Sequence, residues 1–221
     1  MVSRLTGSGA VNYDSSVRLL PDQCTTVLAG AWNRAIFTPQ WVTQNILGTR
    51  PEVALQVGGE FAIQMTTADV QMIYQTGRVQ FAPRREDEAA FDAATAAARA
   101  LLNRLSHTPV NAVGLNFVFV VDEPASRVQR YLTQVAVPFH VHGSFGPLGV
   151  GVRAVVPNPP DGEINLLLDA GPTGLGLEVN YHWNTRGADA GVGVLERNRS
   201  WDLKAKAADL AARLLEMEAG P

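Results

Sequence analysis

Apolar and polar positions alternate with different periods along the chain, and each change of period marks an element. The longest strand-like run is residues 110–122 (VNAVGLNFVFVVD), near the middle of the chain. Upstream, residues 10–20 alternate Val11, Tyr13, Val17 and Leu19 with polar partners, which predicts a half-buried edge strand turned by Pro21-Asp22. Residues 24–37 hold Val27, Leu28, Trp32, Ile36 and Phe37 and predict a long strand interrupted near Ala29-Gly30. Thr38 and Pro39 suit the cap and first position of a short helix over residues 41–47, which Gly48 stops. Alternation then resumes in four closely spaced runs, 53–57, 61–65, 70–75 and 78–82, an antiparallel meander. In the third run Met72 and Ile73 are adjacent, so its facing stays open.

Residues 86–106 carry the clearest helical stripe: Phe91, Ala94, Ala98, Leu101, Leu102 and Leu105. Glu86, Asp87 and Glu88 sit in its first turn, where the helix dipole favours negative charge. His107-Thr108-Pro109 ends it. After strand 110–122, Glu123-Pro124 opens a second short helix with Val128, Tyr131 and Leu132 on its apolar side. Strands follow at 137–142, 149–156, 163–169 and 175–183, separated by glycine- and proline-rich turns. Residues 185–199 read as a long loop, a candidate partner-binding or lid segment. A closing helix covers 200–218, with Leu203, Ala207, Leu210 and Leu214 as its stripe and Ser200 as its cap.

The order strand, helix, four strands, helix thus occurs twice. Residues 1–23 form an extension with an edge strand, 24–109 a first unit and 110–221 a second, fused into one domain. The predicted fold class is α+β: a duplicated β-α-β4-α unit forming a curved antiparallel sheet with helices on one face. This architecture resembles the TATA-box-binding-protein-like fold. The resemblance covers residues 24–218 and is topological, with no motif of that family in these residues, and a shared fold does not carry function.

Strand parity then assigns faces. Ile164, Leu166, Leu168, Leu175, Leu177, Val179, Tyr181 and Trp183 belong beneath the helices. His140, His142, Arg153, Glu163, Asn165, Asp169, Glu178, Asn180, His182 and Asn184 belong on the other face, joined in the first unit by Gln56, Gln64, Thr66, Arg78 and Gln80. Minor-groove binders of the resembled family would need basic and wedge residues here. A net charge of −3 with carboxylates on this face argues against nucleic acid.

Composition adds little else. The single Cys24 cannot form an intrachain disulfide, the first residues lack a signal-like apolar stretch, and no apolar run approaches the ~20 residues that span a bilayer. These observations predict a cytoplasmic chain without a membrane partner. His140 and His142, at i and i+2 on one strand face, have the spacing of metal ligands. The glycine-rich stretches 146–151 (GPLGVG) and 171–176 (GPTGLG) do not open helices and are turns rather than phosphate cradles. With no nucleophile elbow, zinc-protease or P-loop motif, the sequence implies no cofactor.

The leading functional expectation is a non-enzymatic module that binds a protein partner or a second copy of itself, as a homodimer. It would act through the edge strand or through a polar face including Gln56, Gln64, Gln80, Arg153, Glu178, Asn180 and His182. The alternative is a metal- or small-ligand-binding protein or enzyme using the His140 and His142 face, where imidazoles near carboxylates can exchange protons.

Overall fold

The computed structural model describes residues 17–56, 61–121, 150–158, 162–171 and 174–216. In chain order the strands are β1 (Val17–Leu19), β2 (Thr25–Gly30), β3 (Glu52–Gln56), β4 (Ala62–Thr66), β5 (Val70–Gln75), β6 (Arg78–Pro83), β7 (Val110–Val121), β8 (Val150–Asn158), β9 (Gly162–Gly171) and β10 (Gly174–Asn184). Four helices are described: α1 (Pro39–Val42), which runs on into a π-helical turn over Thr43–Leu47, α2 (Glu88–Arg104), α3 (Ala188–Arg197) and α4 (Ser200–Glu216).

All ten strands belong to one antiparallel sheet of mixed α/β architecture, in the order β3-β4-β5-β6-β2-β7-β10-β9-β8. The short β1 pairs with β7 at Phe119 to Val121, past the end of the β2 pairing. The strand expected over residues 10–20 is therefore described only as Val17–Leu19.

Alternation decides which side of the sheet is core. On β7 every second residue from Val113 to Val121 is buried, and the registers place Leu28 against Val113, Phe117 against Val179 and Phe119 against Leu177. On β5 the ambiguity resolves in favour of Val70, Met72 and Tyr74, leaving Ile73 on the opposite face beside Gln80. The helices cover this apolar side. Helix α2 lays Phe91, Ala94, Ala98, Leu101 and Leu102 over the sheet, with Phe91 stacked 6.4 Å from Phe117 between ring centroids. Burying a side chain of that size contributes about 1.5–3 kcal/mol.

Local chemistry sets the helix ends. Thr38 Oγ1 accepts from the Trp41 N–H at 3.3 Å, and Gly48 adopts φ 68°, the left-handed conformation that stops the turn. Asp87 Oδ1 accepts from the Ala90 N–H at 2.8 Å, so Asp87, from the acidic cluster at the start of α2, caps that helix. The Arg85 guanidinium beside Asp87 and Asp69 holds the Asp87 carboxyl below its usual range.

Several expectations are corrected. The strand from Cys24 breaks at Gly30, where the interruption is expected, but it does not resume towards Phe37. The register shifts between Ala29 and Gly30, and a Cβ on Gly30 would lie 2.6 Å from the Pro109 carbonyl oxygen, so backbone approaches backbone there. Beyond it Trp32 folds back, its Nε1 donating to the Leu28 carbonyl at 3.0 Å, and Arg34–Ile36 makes a 3-10 turn. The expected loop 185–199 is mostly helix α3. Its burial of Ala188, Gly191, Val194 and Leu195 follows one helical face, against α2 and β7. It lies on the covered side of the sheet and is no lid over the polar face.

Ser200 is the first residue of α4, and its hydroxyl does not cap. It donates to the Phe91 carbonyl at 3.3 Å and lies 2.9 Å from Thr95 Oγ1, a buried link to α2. Arg199 reinforces that link from outside through Asp92, at 2.6 Å, and Glu88. The short helix after Glu123-Pro124 and the strand 137–142 lie outside the described residues. Among the described residues, no helix is long and apolar enough to cross a membrane.

Candidate functional site

The face opposite the helices is the one no described element covers. Its centre is built by one polar residue on each of four neighbouring strands. The registers align Thr25 on β2 with Asn116 on β7, Asn116 with Asn180 on β10, and Asn180 with Asn165 on β9. Strands lie about 4.8 Å apart, a gap that one asparagine spans. Because a carboxamide both donates and accepts, each can pass the bond on. Asn116 Nδ2 donates to Thr25 Oγ1 at 3.1 Å, Asn180 Nδ2 donates to Asn116 Oδ1, and Asn165 Nδ2 donates to Asn180 Oδ1 at 3.0 Å. The result is a ladder of amides held in one orientation across the middle of the sheet.

Gly114 occupies the next row, between Val27 and His182. A Cβ there would sit 3.2 Å from Asn180 Nδ2, so glycine leaves the ladder its room. His182 lies opposite Glu163 in register, and its Nε2 is 3.3 Å from Asn184 Oδ1.

The predicted interaction residues fall into two groups on this face. Gln64 and Gln80 stand with the first-half strands, where Gln64 Nε2 donates to Thr66 Oγ1 at 3.4 Å. Gln80 Nε2 and Arg78 Nε both donate to Gln75 Oε1, at 3.3 and 2.6 Å. Gln56 shares their face at the sheet edge, opposite Ala62 in register. Glu178, Asn180 and His182 stand on β10, and Arg153 is opposite Leu167, in the row of Glu178. Gln80 and His182 occupy one row three strand steps apart, about 14 Å. The set is a broad surface and does not converge on a point. His140 and His142, the candidate metal ligands, lie outside the described residues.

Sequence reading missed Thr25 and Asn116. Asn116 is the one amide inside the apolar half of β7, and parity alone places it outward; that signal was present but unused. It also missed the apolar part of the face: Val155 is 53% and Leu167 41% exposed there. Asn165, Leu166, Leu167, Glu178 and Asn180 bound a recess of about 240 Å³, where a carboxylate, an amide and an aliphatic side chain meet.

Among the described residues no three His, Cys, Asp or Glu side chains group to hold a metal ion. The Cys24 thiol lies on the covered side, where burial pushes it up to about 11, so it stays protonated and unreactive near neutral pH. No protein-family model matches the chain, and no curated protein matches it.

Proposed function

We propose that the chain is a non-enzymatic protein-interaction module whose open sheet face receives a partner chain. The observation that carries the reading is the amide ladder Thr25–Asn116–Asn180–Asn165 on a face that no described element covers, flanked by exposed Val155 and Leu167. Amides fixed by one another lose little freedom on binding, and a polar surface with scattered aliphatic side chains suits a protein interface. The recess of about 240 Å³ is below the ~300–1,000 Å³ of typical small-molecule pockets and matches a single partner side chain. Contacts are assigned to Gln64, Gln80, Glu178, Asn180 and His182, with Gln56 and Arg153 at the two flanks.

The duplicated, TATA-box-binding-protein-like arrangement, with halves at 24–109 and 110–221, belongs to the same reading. It is supported by the strand order, in which β2 and β7 are central neighbours and β6 and β10, β5 and β9, β4 and β8 follow outward in pairs. We place the protein in the cytoplasm. A second reading, a small-ligand-binding protein or enzyme, draws on the same recess. Calorimetry with small amines and amides separates the two, because only that reading yields saturable heat abolished by Glu178→Gln.

The test is photo-cross-linking in cells that express the chain. A benzophenone amino acid at Gln80 or His182 gives partner adducts, whereas one at Arg104 or Asp209, on the helices, gives none. Equal adducts from all four positions, or adducts from the helical pair alone, would refute the reading.

A further inference from the structure

We propose that two copies of the chain join edge to edge through β3 about a twofold axis, with Ala54 opposite the partner subunit's Ala54. This inference does not depend on what the open face binds.

β3 is one end of the strand path and, among the described residues, pairs with β4 alone. Its five residues, Glu52–Gln56, are all exposed, including two aliphatic side chains: Val53 at 45% and Leu55 at 63%. Register places Val53 opposite Met65 and Leu55 opposite Ile63, on the helix side of the sheet. Met65 is 1% exposed and Ile63 packs against the core, so the apolar layer continues outward to β3, beyond which no described element lies. Edge strands that stay single are commonly blunted by an inward-pointing charge, a bulge or an internal proline. At the helix-side positions of β3 none of these is present: its charge, Glu52, is on the other face and Pro51 precedes the strand.

A second copy is the occupant because the five-residue pattern is complementary to itself. Antiparallel pairing centred on Ala54 sets Val53 opposite the partner subunit's Leu55 on the helix side. It sets Glu52 opposite the partner subunit's Gln56 on the open side. Two aliphatic pairs and two carboxylate–amide pairs result, and no like charges meet. A slip of one residue would put the aliphatic side chains on opposite faces, and a slip of two would leave only three described residues paired. The contact is isologous, the form a twofold requires. Since the axis stands normal to the sheet, both open faces end on the same side, and a partner repeating its binding segment meets two ladders at once.

Sedimentation equilibrium of the full chain across a wide concentration range tests this. The expected result is a reversible monomer–dimer equilibrium, whose dissociation constant Leu55→Lys or Val53→Lys raises at least about tenfold through two like-charged, desolvated lysines at the seam. Both sites are exposed, so the thermal melt of the monomer stays near that of the parent. In a Cys24→Ala background, Ala54→Cys should form an intersubunit disulfide on mild oxidation, because directly opposed residues have Cα atoms about 4.5–5.5 Å apart. A monomer at every concentration overturns the proposal. So does a dimer that tolerates both lysines, or one whose Ala54→Cys variant fails to cross-link.

Discussion

Asn116 and Phe117 are consecutive on β7 and point to opposite faces, so truncating each in turn measures the difference between those faces. Phe117 is 1% exposed, stacked on Phe91 and edge-on to Tyr181 at 6.0 Å. Phe117→Ala leaves a cavity between sheet and helix and should cost about 3–5 kcal/mol. Asn116 donates to Thr25 and accepts from Asn180, but it is only half-buried and nothing described lies over it. Asn116→Ala removes two hydrogen bonds worth about 0.5–1.5 kcal/mol each, and water reaches the freed partners, so a total near 1–2 kcal/mol is expected. At about 2–4 °C per kcal/mol for a chain of this length, the melting temperature falls by roughly 2–8 °C for Asn116→Ala. For Phe117→Ala the fall is about 6–20 °C. Guanidinium unfolding followed by circular dichroism gives both free energies. An Asn116→Ala loss equal to or greater than that of Phe117→Ala would refute the assignment of faces.

Three further outcomes are expected. Gly191→Leu should destabilise by about 1–3 kcal/mol in the same assay, because a Cβ at that position already meets Leu102 Cδ1 at 3.2 Å and Val113 Cγ2 at 3.3 Å. Gly30→Ala should lower the melting temperature measurably although only one methyl is added, since the group it meets is the Pro109 backbone, which cannot rotate away; a neutral result would contradict the close approach of β2 to that turn. Burial raises the Cys24 thiol from 9.0 to about 11, so its contribution to stability is whole below pH 9 and is lost as the pH rises through 11. Relative to Cys24→Ala, the parent should lose on the order of 2–3 kcal/mol across that window, and identical pH profiles would contradict it.

Much of the sheet was legible because alternation is a local property. The meander β3 to β6, the long β7 and the apolar rows of β10 follow from period two alone, and α2 follows from its unbroken stripe and acidic start. The two misread segments share a cause. The break near Gly30 shows in the local pattern, but the run beyond it is a 3-10 turn and not more strand, and the Pro109 carbonyl that crowds Gly30 is distant in sequence and encoded by no local pattern. Helix α3 contains Gly191 and Gly193, both poor helix formers, and reads as loop. What makes it a helix is tertiary: Gly191 lets its backbone come up to Leu102 and Val113, and Ala188, Val194 and Leu195 are buried with it. At the candidate site, parity found Asn165 and Asn180 on the polar face but not their connection. Register between four strands creates the ladder, and a single sequence states parity without register.

Carbene footprinting of the purified chain, read by mass spectrometry at residue level, tests most directly whether the face opposite the helices is open. Glu178 and His182 should be labelled strongly, while Leu177, Val179 and Tyr181, interleaved with them on the same strand, remain protected. Equal protection of both sets would mean that the polar face is covered as fully as the core, and the binding surface assigned to it would not exist.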